Sequence, residues 1–180
     1  YPHFDAYKLE SQFLETQLKE NIDVEVLAQD GGFIFVDDAS YFKDGKPSPE
    51  LQKIVNQLQQ RGAEVVILTS NNPDGLKSTI DLRDRMTEKA GLGNYTKGTL
   101  KPRAIVCIYN TKNQNNKGEV VCVTGQAYES VFSKADMQKG VDLILQNLRT
   151  GNGEKGFLEA YTYFVKVFEQ REAQATQQAL

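Results

Sequence analysis

The chain has 180 residues, enough for one domain with a sizeable core, or one domain and a tail. Acidic residues outnumber basic ones by 24 to 21, a formal charge of -3, and the basic residues are scattered, which argues against nucleic acid as a partner. No apolar run approaches the roughly 20 residues of a membrane-spanning helix, and the first residue is Tyr1 rather than Met, so a segment removed upstream is expected, a cleaved signal or anchor among the candidates.

Tyr7, Leu14 and Leu18, with Phe13 beside them, recur at helical spacing and predict an amphipathic helix within 1–20. Ile22, Val24 and Val26 alternate with Asp23 and Glu25, the pattern of an edge strand. The run Phe33-Ile-Phe-Val36, entered through Gly31-Gly32, reads as a strand buried on both faces, as in a largely parallel sheet. Asp37 and Asp38 follow it directly, at the carboxyl edge where open α/β sheets bind ligands. Ser48-Pro49-Glu50 announces a helix, with Ser48 as cap, Pro49 in the first turn and Glu50 complementing the dipole. Its stripe is Leu51, Ile54, Val55 and Leu58, and Arg61-Gly62 ends it. Ala63 to Thr69 is a second buried strand, completing a βαβ unit whose crossover is expected to be right-handed.

A further helix is predicted from about Leu76 to Ala90, followed by Gly91-Leu92-Gly93. Arg103 to Asn110 and Glu119 to Val123 are apolar runs joined by a polar loop. As a hairpin pairing Asn110 with Glu119 they set Cys107 opposite Cys122. Those cysteines read first as small buried core residues and second as a cross-strand disulfide. Ser133 with Asp136 forms a short-armed capping box, flanked by Phe132 and Met137 at the staple positions. Met137, Val141, Ile144, Leu145 and Leu148 are the buried stripe of that helix. After Thr150-Gly-Asn-Gly153, a last helix presents Phe157, Tyr161, Phe164, Val165 and Phe168 on one face, and from Glu169 the chain becomes rich in Gln and Ala and loses that face.

Three strand ends are expected to converge, bringing Asp37 and Asp38 to Thr69, Ser70 and Asn110. Carboxylate, hydroxyl and amide oxygens suit a hard divalent cation, Ca²⁺ or Mg²⁺. No imidazole or thiolate is offered, which argues against zinc. Asp is equally a turn residue whose carboxylate accepts nearby backbone N–H groups, so for Asp37 and Asp38 ligand and turn cap stand as alternatives.

Val65-Val-Ile-Leu-Thr69-Ser70 resembles the second motif of haloacid-dehalogenase phosphatases, but that group needs a carboxylate two positions after Asp37, where Ala39 stands, so this assignment fails. From Val36 to about Phe164 the chain instead resembles the TPM domain family. The resemblance rests on Val36-Asp-Asp-Ala39 followed by Ser48-Pro49-Glu50, on Glu64-Val-Val-Ile-Leu-Thr69, on Ala90-Gly-Leu-Gly93, and on Val123-Thr-Gly125-Gln-Ala-Tyr-Glu129.

The resemblance implies an α/β/α sandwich, taken here as three layers around a mixed, mostly parallel, Rossmann-like sheet spanning 31–168, while the residue patterns put a helix and possible edge strand in 1–30 and a helical tail or linker in 169–180. It implies a bound divalent cation, Ca²⁺ or Mg²⁺, with the family's acidic positions carried over onto Asp37, Asp38 and Glu129, to which the strand-end reading adds Ser70 and Asn110 as ligands. It also implies an extracytoplasmic place in periplasm, thylakoid lumen or cell envelope, tethered to a membrane. The implied role is assembly, repair or maintenance of a membrane protein complex, as in photosystem II repair. Weak acid phosphatase activity on a phosphate-ester small molecule, with Asp37 and Asp38 catalytic, is the alternative. The chain departs from the family in the longer turn Thr111 to Gly118 and in Lys134, which stands where an Asp is usual.

Overall fold

The computed structural model describes residues 32–70, 102–110 and 118–179; the helices expected in 1–20 and 76–90 and the strand expected in 22–27 lie outside them. Among the described residues, four strands lie side by side in the order β1 (Phe33–Asp37), β2 (Glu64–Ser70), β3 (Ala104–Asn110) and β4 (Glu119–Thr124). β1, β2 and β3 are mutually parallel, and β4 runs antiparallel to β3. With α1 (Pro49–Gln60), α2 (Lys134–Arg149) and α3 (Gly153–Ala179), the chain is an α/β sandwich on a mixed, mostly parallel sheet.

Local signals account for where these elements start and stop. Ser48 Oγ accepts the Leu51 N–H at 3.2 Å, and Pro49 occupies the first turn of α1, where no N–H is missed. At its other end the Gly62 N–H reaches Gln59 O at 2.8 Å and the Ala63 N–H reaches Leu58 O at 3.1 Å, with Gly62 at φ +83°. That pair of bonds needs a left-handed residue, which glycine supplies without a Cβ clash. α2 opens on the reciprocal box read from the sequence, Asp136 N–H to Ser133 Oγ at 3.1 Å and Ser133 N–H to Asp136 Oδ2 at 2.9 Å. Every residue of β2 and of β3 is buried, as continuous apolar runs require.

Side chains alternate between the faces of a sheet. Val65, Ile67, Ile105, Cys107, Tyr109, Val120 and Cys122 share one core with Leu51, Val55 and Leu58 of α1, Val141, Ile144 and Leu145 of α2, and Phe157, Tyr161 and Phe164 of α3. The described helices therefore all press on the same face. Tyr161, fully buried, fixes α3 to the sheet by donating its hydroxyl to Val66 O at 3.0 Å. Phe132 seals one end with rings at 5.4 Å from Phe164 and 5.0 Å from Phe168, edge to face. Ile34, Val36, Val66, Leu68, Val106, Ile108 and Val121 point to the opposite face and are also buried, outside that core. The last turns of α3 are exposed over 169–177, although Arg61 Nε still reaches Glu172 Oε1 at 2.8 Å.

α2 and α3 cross closely because small residues line the contact. A Cβ on Gly156 would stand 2.9 Å from both the Cα and the carbonyl oxygen of Ile144, which are backbone atoms that cannot swing away. Gly156→Ala should therefore lower stability by about 1–3 kcal/mol, seen as a lower urea midpoint at unchanged slope. Asp136 gives a second expectation. Burial would push its carboxyl up, but bonds from Ser133 and from the Tyr163 hydroxyl at 2.7 Å, with Arg171 nearby, hold it below its ordinary value. A lowered folded-state pKa stabilises above the unfolded value and is lost as pH falls through the folded one. The stability gap between the wild type and Asp136→Asn, measured by urea melts, should accordingly be full at neutral pH and shrink below about pH 4.

Candidate functional site at the carboxyl edge of the sheet

Pairing register brings the strand ends together. Asp37 lies beside Thr69, Ser70 beside Asn110, and Asn110 beside Glu119. Alternation then splits them. Asp37, Thr69 and Tyr109 share the face that the described helices cover, while Ser70, Asn110 and Glu119 form a row on the other face.

On the helical face Asp37 is consumed by its own loop. Its Oδ1 accepts the Tyr41 N–H at 2.9 Å and the Thr69 hydroxyl at 2.7 Å, and its Oδ2 accepts the Phe42 N–H at 2.9 Å. Thr69 Oγ1 in turn accepts the Ala39 N–H at 3.0 Å. The chain reverses through a turn closed by the Ser40 N–H on Asp37 O at 3.1 Å, with Ser40 at φ 55°. This clasp delivers Phe42 into the core, 4.8 Å from the Phe35 ring and 5.5 Å from that of Phe157. It also sets Tyr41 edge-on to Tyr109 at 4.9 Å, their hydroxyls 3.1 Å apart. Of the two readings left open for Asp37, the geometry is that of the turn cap. Asp38 is the next residue of that turn and is half-buried.

The other face is chemically different. Asn110 is fully buried and Ser70 is 5% exposed. Among the described residues, Ser70 Oγ and both amide atoms of Asn110 have no hydrogen-bond partner. Leaving a buried polar group unsatisfied costs about 1–3 kcal/mol, and a group kept at that cost signals a ligand, ion or water. Glu119, 4% exposed, adds a carboxylate to the same row. Hydroxyl, amide and carboxylate oxygens on neighbouring strands are the donor set of a hard cation. The set is thin in charge: among the described residues no three of His, Cys, Asp and Glu come together.

Glu129 does not join this row. β4 runs back along β3, and beyond it Gly125 N–H bonds to Ala104 O and Ala127 N–H to Pro102 O. Glu129 therefore follows at the amino end of β3, separated from Asn110 by the length of the strand, roughly 20 Å. Arg103 lies at that far edge too, its guanidinium against Gly62. Glu119 takes the place at the site that Glu129 was expected to fill. Its signal was in the sequence, because the hairpin register that pairs Cys107 with Cys122 also pairs Asn110 with Glu119.

No family model matches the chain, and no curated protein matches it. Among solved structures, the N-terminal domain of a protein from P. gingivalis, determined by solution NMR, is similar with a TM-score of 0.62 and 14% identity, over 84% of this chain and 91% of that one. The likeness is one of fold. No described helix is long and apolar enough to cross a membrane.

The clasp can be tested apart from any ligand. Thr69→Val keeps the shape of the side chain but removes the hydroxyl shared by Asp37 and Ala39. It should cost about 1–3 kcal/mol in chemical denaturation, because a buried bond is broken on both sides.

Proposed function

We propose that the chain is a TPM-like module, working outside the cytoplasm and tethered to a membrane in the full-length protein, that holds a divalent cation and serves the assembly, repair or maintenance of a membrane protein complex. The ordered set of short motifs from Val36 to Glu129 supports the family, and the membrane complex follows from that resemblance alone. The cation rests on one observation, the oxygens of Ser70 and Asn110, unpartnered among the described residues and set side by side on a buried face, with the Glu119 carboxylate next in the row. Ser70 Oγ, Asn110 Oδ1 and Glu119 would hold the ion. Asp37 would support them only indirectly, since its oxygens already carry the loop.

This assignment weakens the phosphatase alternative. A nucleophile or base needs an oxygen turned to the substrate, and both oxygens of Asp37 face N–H and O–H donors of the protein.

Asn110→Leu separates the readings. In chelator-treated protein the variant should be as stable as the wild type or more so, because an orphaned amide is replaced by an apolar group of similar size. Adding Ca²⁺ or Mg²⁺ should stabilise the wild type by about 2.7 kcal/mol at a hundredfold excess over Kd and leave the variant unchanged. Equal responses of both proteins, or none, remove the site. Metal-dependent turnover of a phosphate monoester that is lost in Asp37→Asn would favour the enzyme instead.

A further inference from the structure

The geometry points to Cys107 and Cys122 as a dithiol–disulfide site, closed by exchange with a low-molecular-weight disulfide that enters beside β4. The two residues are register partners on adjacent antiparallel strands, and their sulfurs are 2.8 Å apart with both thiols free. The neighbouring bonds fix which kind of pair they form. Gly125 N–H to Ala104 O and Ala127 N–H to Pro102 O mark the hydrogen-bonded positions, and these alternate along the ladder. Counting back, Cys107 and Cys122 occupy a non-hydrogen-bonded pair, where Cα atoms stand about 4.5 Å apart and side chains are closest. That spacing is within the range a disulfide spans, and bond formation needs less than about 1 Å of sulfur movement.

Access comes from one side. Cys107 is fully buried, whereas Cys122 is 8% exposed. Cys122 forms part of the wall of an open cleft of about 520 Å³ between β4 and α2, lined also by Thr124, Glu129, Phe132, Met137 and Val141. Glu129, remote from the cation row, belongs to the rim of this cleft. Cys122 is thus the attacking sulfur and Cys107 the resolving one. In the exchange the Cys122 thiol loses its proton and attacks one sulfur of the reagent, whose S–S bond breaks and releases one thiol. The Cys107 thiol then loses its proton and displaces the second half of the reagent as a thiol. Two protein S–H bonds become one S–S bond, and two electrons and two protons pass to the reagent. Burial, followed by the contact with Cys107, pushes the Cys122 thiol well above its ordinary value, so the folded protein exchanges slowly at neutral pH.

Once closed, the bond would staple β4 to β3 across a sequence separation of 15 residues. It stands three pairs along the ladder from Asn110 and Glu119, so it would also hold the two strands that carry the cation row. The chemistry of the thiols does not depend on that row.

The test is thiol counting on the 180-residue chain. After incubation in a glutathione buffer rich in the oxidised form, the protein is unfolded and alkylated. The expected result is no alkylated cysteine, a monomer on a non-reducing gel, and a Tm that drops by roughly 5–10 °C on reduction. In Cys107→Ala, which leaves the attacking thiol without its resolving partner, one glutathione should remain attached at Cys122. Two alkylated cysteines in the oxidised wild type, a disulfide-linked dimer in place of the internal bond, or a Cys107→Ala protein that takes up no glutathione would overturn the proposal.

Discussion

The register of β2 against its two parallel neighbours is the constraint on which the rest depends. It sets Asp37 against Thr69 and Ser70 against Asn110, and a slip of one residue would exchange the two faces of the strand. With it fixed, the carboxyl edge of the sheet acquires two separate chemistries. One side is closed around Asp37, where carboxylate, hydroxyl and backbone N–H groups satisfy one another. The other carries a serine hydroxyl and an asparagine amide that no described residue satisfies.

That separation puts Asp37 on the other face of the sheet from Ser70 and Asn110. Asp37 ends β1 with its side chain towards the helices, and the turn that begins at Asp38 is built on its oxygens. The same bonds place Phe42 and Tyr41, and through them seat the start of α3. A Cβ on Gly153 would meet the Tyr41 ring at 2.5 Å. A carboxylate that reads as chemistry in the sequence is here a determinant of packing.

Much of the fold was legible because each element carries its own punctuation. Ser48-Pro49-Glu50 and Arg61-Gly62 bound α1 within a residue of where it lies, and the Ser133 and Asp136 pair bounds the start of α2. The polar loop between two apolar runs gave the register of β3 on β4. The site was less legible for a physical reason. Sequence order tells which residues reach a sheet edge, but the face each one takes depends on parity across strands and on where a turn begins. Ser70 and Asn110 were recognised as strand ends, yet their separation from Asp37 emerges only from the pairing. Glu129 came with the resemblance, and following the antiparallel β4 past Gly125 carries it to the opposite edge, whereas Glu119 opens β4 opposite Asn110, as the hairpin register indicated.

The most direct measurement is anomalous diffraction from crystals of the chain grown with Mn²⁺ as an oxygen-seeking stand-in for Ca²⁺ or Mg²⁺. A peak is expected within coordination distance of Ser70 Oγ, Asn110 Oδ1 and the Glu119 carboxylate, with the Asp37 loop unchanged. A peak on Asp37 with its N–H bonds broken, or no peak at this edge at saturating metal, would contradict it.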